Sequence, residues 1–292
     1  VATGSTGMLT ERSAQGLANS AYHPTYTWAN FSLATLERQM LVPLLGEFPV
    51  EMGITDHSLP VMLKRLNDDA DYPQRFADAF PNSPQPLSLE NVIKAIATFE
   101  RGLISAGSKY DEFLAQRAAL NAQEEHGRQL FFSAQSQCSQ CHSGFNFTDQ
   151  TTIASDTTFN TPFHNTGLYN VDGKGGFPAG NRGIFELSNR PADMGAFRTP
   201  SLRNVAVTAP YMHDGSVTDL PSVLKFYAEH RRNVTTGEHQ GDGRANPFQD
   251  ERVARIQLNE QEQADIVAFL HTLTDEKFLS NPRFADPKHV TH

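Results

Sequence analysis

The chain has 292 residues, 38% of them hydrophobic, 20 of them Phe, and a formal net charge of -9. That is enough apolar material for one large domain or two ordinary ones. The acidic balance speaks against nucleic acid, which asks for basic patches, and leaves room for a basic protein partner; no apolar run approaches the ~20 residues a membrane-spanning helix needs.

Val1 is not an initiator Met and no signal peptide is visible, so the start reads as processed or truncated. The first strong helical signal is residues 88–105 (SLENVIKAIATFERGLIS). Val92, Ile96, Phe99 and Leu103 form one stripe there, with Ser88 as the expected N-cap. Residues 121–132 open on Asn121 with Glu124 three positions on, the pattern of a capping box. This helix delivers the chain to Cys138-Ser-Gln-Cys141-His142. From Gly144 to Thr199 the sequence is rich in Gly, Asn, Thr, Asp and Pro, which predicts a long loop wrapped around something. A helix follows near 218–230, beginning at Thr218 with Pro221 in its first turn. Another spans 259–273 and puts Ile266, Phe269, Leu270 and Leu273 on one side. The tail after Thr274 reads as an extended surface strap.

The C-x-x-C-H run is the attachment pattern of a c-type haem. Two thiols add to the two porphyrin vinyl groups, and the adjacent His then reaches the iron from one face. The chain holds two Cys, and this motif uses both. A disulfide between them would leave His142 without a purpose. A zinc site needs about four ligands, and no second Cys pair completes one. A thioredoxin-like pair should follow a strand in a βαβ unit, which is not visible here. The sequence therefore predicts covalent haem on Cys138 and Cys141 with His142 as proximal ligand. Because haem is attached outside the cytoplasm in most bacteria, a periplasmic or cell-surface protein is expected.

Three further stretches carry a family resemblance. They are Phe197–Ser216 (FRTPSLRNVAVTAPYMHDGS), Phe163–Leu168 (FHNTGL) and Ile93 with Phe99-Glu-Arg101. Together they resemble the bacterial di-haem cytochrome c peroxidase and MauG superfamily, over nearly the whole chain. Residues 14–52 are most similar to its MbnH-like branch. The resemblance implies a mainly α fold of two cytochrome-c-like helical domains with long haem-wrapping loops. The expected boundaries are 1–120 for the peroxidatic haem pocket, 121–275 for the CSQCH haem and 276–292 for the tail. It implies two haems c and a first C-x-x-C-H ahead of Val1. This chain has none, and the expectation is that the segment has been lost; a relic pocket in a mono-haem protein is the alternative.

The resemblance also implies roles. Gln39, Pro43 and Glu51 match the residues on the peroxide side of the high-spin haem, where a carboxylate would shuttle a proton as the O–O bond breaks. Glu47 competes with Glu51, because the spacing from Gln39 to Glu51 is two residues longer than in the peroxidases of the family. Trp28, the single Trp, would carry a hole between the haems; packing is its plainer role. Tyr227 would ligate the second iron where peroxidases use Met and MauG uses Tyr, although Leu220, Val223 and Tyr227 could equally be a core stripe. His213 would support that haem without ligating it. Ser13, Thr208 and Pro210 would hold a calcium ion through hard oxygens. His57, His126, His164 and His271 read as surface or structural. The implied activity is peroxide-driven oxidation of Trp on a periplasmic or secreted partner tied to copper handling. The alternatives are a cytochrome c peroxidase making water and an electron-transfer cytochrome without chemistry of its own.

Overall fold

A computed structural model of the chain describes residues 1–156, 161–229 and 232–286. Among them are 11 α-helices and one pair of two-residue strands. The helices are α1 (Leu36–Leu45), α2 (Leu59–Asn67), α3 (Tyr72–Ala79), α4 (Leu89–Arg101), α5 (Lys109–Leu114) and α6 (Ala122–Phe131). After the long loop come α7 (Phe185–Ser188), α8 (Leu220–Ala228), α9 (Glu251–Ala254), α10 (Glu260–His271) and α11 (Glu276–Leu279). Strands β1 (Asn233–Val234) and β2 (Gly241–Asp242) pair antiparallel, Asn233 opposite Asp242. No helix among the described residues is long and apolar enough to cross a membrane.

The C-terminal core is built by α6, α8 and α10. Both long helices start on a reciprocal cap: Asn121 with Glu124, and Asn259 with Glu262. Each cap satisfies two backbone donors that a helix start leaves open. Ile266, Phe269, Leu270 and Leu273 are all buried, as the periodicity predicts, and pack on Leu130, Phe131, Phe147, Leu220 and Leu224. Gly127 sets how closely α6 approaches α10. A Cβ there would stand 1.8 Å from the carbonyl oxygen of Asp265, far inside contact distance. Helix α8 starts one residue later than expected, on Asp219, whose side chain accepts from the Ser222 amide at 2.8 Å.

The N-terminal helices α1 and α4 pack on each other through Leu36 and Ala97, and through Met40, Leu44 and Ile93. Here the expected stripe is corrected. Helix α4 buries Asn91, Ile93, Ala97 and Glu100, while Phe99 is 50% exposed. The reason is contact with α1 and with the turn at Ser20–Tyr22, which accept small and polar side chains close to the helix axis. Phe99 turns outward to an edge-on contact with Phe284, 6.2 Å between centroids. The tail is accordingly folded back by α11 and a turn at Pro282–Phe284, a correction to the extended strap; residues 287–292 of that expectation lie outside the described residues.

The long loop packs a further core of Leu168, Tyr169, Phe177, Ile184, Ala196 and Phe197 with Ala29 and with Phe226 of α8.

Candidate functional site

The end of α6 places the thiols. Ser136 is fully buried and donates to the Leu130 carbonyl at 2.6 Å. Gln137 takes a left-handed φ of 57°, and the chain enters a 3-10 turn over Cys138–Gln140. The Cys138 carbonyl accepts from the His142 amide at 2.9 Å. One turn thus brings Cys138, Cys141 and His142 to the wall of a cavity of about 230 Å³. Burial pushes the Cys138 thiol up to about 11, so it stays protonated.

His142 is oriented from behind. Its Nδ1 lies 3.1 Å from the Phe147 carbonyl oxygen, which fixes the proton on Nδ1 and the lone pair on Nε2. Burial holds the imidazole below its ordinary pKa, hence neutral and able to bind iron.

One side of the cavity wall is apolar, with Phe131, Leu220, Val223, Leu224, Ile266 and Leu270. Tyr227, Met212 and His213 join it from α8 and the 210–215 turn. Four buried polar atoms without partners belong to residues of the same wall, Gln15 Nε2, Arg198 Nε and Nη2, and His213 Nε2. Arg198 is 3% exposed and uses Nη1 on the Thr25 carbonyl at 2.6 Å. Its other donors have no acceptor, and burial lowers the guanidinium to about 10. Uncompensated buried donors are costly, so the wall asks for an anion. A c-type haem fits on each count. Its vinyl groups suit the two thiols, its iron suits His142, and its carboxylates suit Arg198 and Gln15. Two thiols, one imidazole and an apolar cavity with an unpaired buried Arg define a c-type haem protein.

Trp28 also lines this cavity, and its Nε1 donates to the Ser13 carbonyl at 2.7 Å. Ser13, Thr208 and Pro210 line it too, with the Ser13 amide bonded to the His213 carbonyl at 2.8 Å. His213 is 6% exposed and stacked on Phe197 at 3.7 Å between centroids; burial lowers it to about 3. Gln39, Pro43 and Glu51 stand elsewhere. Gln39 and Pro43 are one turn apart on α1. Pro43 has no N–H, so the Gln39 carbonyl lacks its helical donor. Glu51 is half-buried and held against this turn, its carbonyl bonded to the Ser5 amide at 2.7 Å and the next amide, Met52, to the Pro43 carbonyl at 2.9 Å. Glu47 is exposed.

His164 was expected at the surface or in a structural role, and the role is structural. Its Nε2 lies 2.7 Å from Asp149 Oδ2 and its Nδ1 2.8 Å from Asp250 Oδ2. Burial opposes the charge, but these hydrogen bonds outweigh it and hold the imidazolium up at about 11. Cys141, Asp149 and His164 could in principle meet on a metal. Both His164 nitrogens are already committed to carboxylates, and Cys141 belongs to the thioether pair. Arg198, Gln15 and Met212 were missed. The signal for all three was present, because Arg198 and Met212 lie inside the quoted Phe197–Ser216 stretch and Gln15 inside residues 14–52.

The family model for di-haem cytochrome c peroxidase matches residues 1–119. The MauG protein of Methylorubrum extorquens is 31% identical over 259 residues, 88% of this chain and 63% of that protein. The cytochrome-c peroxidase IdrP1 of Denitromonas iodatirespirans is 31% identical over 278 residues, covering 90% of this chain and 68% of the relative. A crystal structure of a MauG-like protein associated with microbial copper homeostasis superposes with a TM-score of 0.96 at 48% identity, covering 99% of this chain and 82% of that one. The chain belongs to the di-haem cytochrome c peroxidase and MauG family. It spans less than two thirds of the MauG relative, 63% of its length.

Proposed function

We propose that this chain acts in a periplasmic, MauG-like di-haem oxidase that uses hydrogen peroxide to oxidise Trp on a partner protein tied to copper handling. The observation that carries it is Tyr227 in the wall of the cavity that holds Cys138, Cys141 and His142. A phenolate oxygen is a hard donor that favours oxidised iron, whereas a thioether favours reduced iron. The 48% identity to the copper-associated MauG-like protein points the same way.

The haems supply the site that accepts oxygen from peroxide and stores its two oxidising equivalents. The chain supplies the rest. Cys138 and Cys141 would anchor the second haem, and His142 would ligate its iron. Arg198 would offset the charge of its carboxylates and Gln15 would donate a hydrogen bond to them. At the other haem, Glu51 would be the proton carrier between the two peroxide oxygens and Gln39 would orient the peroxide, with Pro43 removing the helical donor from the Gln39 carbonyl. Trp28 carries holes between the haems. Ser13, Thr208 and Pro210 would hold calcium with neutral oxygens, water completing the shell. Residues 1–120 and 121–275 are the two haem-holding domains, with 276–292 as tail.

One observation favours a second reading. Met212 lines the same cavity, and a thioether there would suit a cytochrome c peroxidase that makes water. Peroxide given with the partner and with reduced cytochrome c separates the two. The first reading expects oxygen mass gain on a partner Trp and slow cytochrome oxidation. Fast cytochrome oxidation with an unmodified partner would overturn it.

A further inference from the structure

A protein partner cannot enter a cavity of about 230 Å³, so its electrons must leave through the protein. A column of rings runs outward from the wall. Phe197 and His213, both at the cavity, stack at 3.7 Å and 13°. Phe177 lies next to both, 6.2 Å and 6.3 Å between centroids. Tyr169 meets Phe177 edge-on at 5.6 Å. On its far side it meets the exposed His239 at 5.7 Å. Phe rings and a neutral His are hard to oxidise. Tyr169 is the phenol in the column, and a phenol gives up an electron readily only if its proton has a destination.

That destination is present. The Tyr169 hydroxyl donates to Asp214 Oδ2 at 2.6 Å. Asp214 is kept ionised: burial opposes the charge, but the hydrogen bonds from Tyr169 and Ser216 lower its pKa. Burial pushes the phenol up to about 12, so it rests protonated. The Arg232 guanidinium sits over the ring at 4.6 Å and penalises a cation radical. Electron loss is therefore tied to proton loss. Tyr211, also at the cavity, gives its hydroxyl to the Val205 carbonyl, which cannot keep a proton.

We propose that Tyr169 is the redox relay between the haem cavity and a protein partner docked near His239, with Asp214 as its proton acceptor. This rests on the function proposed above. The peroxide-oxidised haem takes one electron from Tyr169 while the O–H proton moves to Asp214, leaving a neutral phenoxyl radical and a neutral carboxylic acid. One electron from the partner's indole, with return of that proton, restores phenol and carboxylate. Two such passes use both oxidising equivalents.

The test is freeze-quenched electron paramagnetic resonance of the haem-loaded protein with peroxide and no partner, with haem oxidation followed optically in parallel. A tyrosyl radical is expected, narrowed when ring-deuterated tyrosine is incorporated. Tyr169→Phe and Asp214→Asn should each remove it while haem oxidation by peroxide persists, and partner oxidation should fall at least tenfold. An undiminished radical and undiminished partner oxidation in Tyr169→Phe would overturn the relay alone. Haem that peroxide leaves unchanged in the wild type would overturn the functional reading and the relay together. Should the variants misfold, prolonged peroxide on the wild type decides: oxygen on the Tyr169 peptide supports the relay, and an unmodified peptide overturns it.

Discussion

The two helix groups treat their apolar residues differently. Around α10, Phe131, Ile266, Phe269 and Leu273 are at most 2% exposed, and the apolar side chains face one another or the cavity. Around α1, Leu36, Met40 and Leu44 are buried, but Leu41, Val42, Leu45, Phe48 and Met52 are open, Phe48 at 79%. Helix α1 is therefore apolar on two faces, and the second face belongs to the same element that carries Gln39 and Pro43. So many exposed apolar side chains on and just after one helix suit a face that is covered. Under the proposed function its cover is the peroxide-side haem. The lesson is that core quality and chemistry are divided: the C-terminal group folds around its own side chains, while the N-terminal group presents a wall.

The largest test of that contrast removes the anchor. Cys138→Ala with Cys141→Ala should abolish covalent haem on residues 121–275, read as loss of the haem mass from the corresponding proteolytic fragment. Covalent haem persisting there would end the argument for this site. Next comes packing. Phe269→Ala should cost ~3–5 kcal/mol in denaturant unfolding, since the ring is fully buried. Phe48→Ala should change stability by no more than ~0.5 kcal/mol as long as nothing covers it; similar losses at both sites would erase the comparison.

Ligation is the sharper probe. Tyr227→Phe should alter the low-spin resonance and the visible spectrum of the Cys138–Cys141 haem, whereas Met212→Leu should not. The reverse pattern would hand the ligand role to Met212 and favour the peroxidase reading.

The His164 clamp predicts a pH dependence. Its folded pKa of about 11 lies above the ordinary 6.5, so the stability it contributes is complete below about pH 6.5, declines as the pH rises, and is gone above about 11. Asp250 is depressed: burial opposes this, but the bonds from His164 and Arg252 prevail, so its contribution is lost on acidification instead. Unfolding of His164→Gln should lack the alkaline slope seen in the wild type; an identical slope would show that another group sets it. The smallest effect is expected of Trp28→Phe. Loss of the bond to the Ser13 carbonyl should cost ~0.5–1.5 kcal/mol, with slower exchange of oxidising equivalents between haems and unchanged haem content.

What the sequence revealed follows the range of the forces involved. The cap at Asn121 acts within four residues, so composition and spacing were enough; the matching box at Asn259 and Glu262 is just as local and went unread. The haem motif is equally local. The buried face of α4 was misread because Ile93, Ala97 and Glu100 are chosen by α1 and the Ser20–Tyr22 turn, distant in sequence. His164 looked ordinary because its partners Asp149 and Asp250 stand on separate segments, the second of them 86 residues away. Arg198 was missed for a different reason: its importance lies in the acceptors it does not have, and no pattern of letters records a missing partner.

Gly127 carries a consequence for evolution of this scaffold. With backbone at 1.8 Å from where a methyl would begin, the site tolerates no other amino acid without moving α6 relative to α10. Cys138 hangs from the end of α6, and Ile266 and Leu270 of α10 form another part of the cavity wall. A single added carbon would therefore change the width of the slot between thiol and wall. Variation that retunes the cofactor pocket is free to act on the lining, but the spacing itself has one permitted letter.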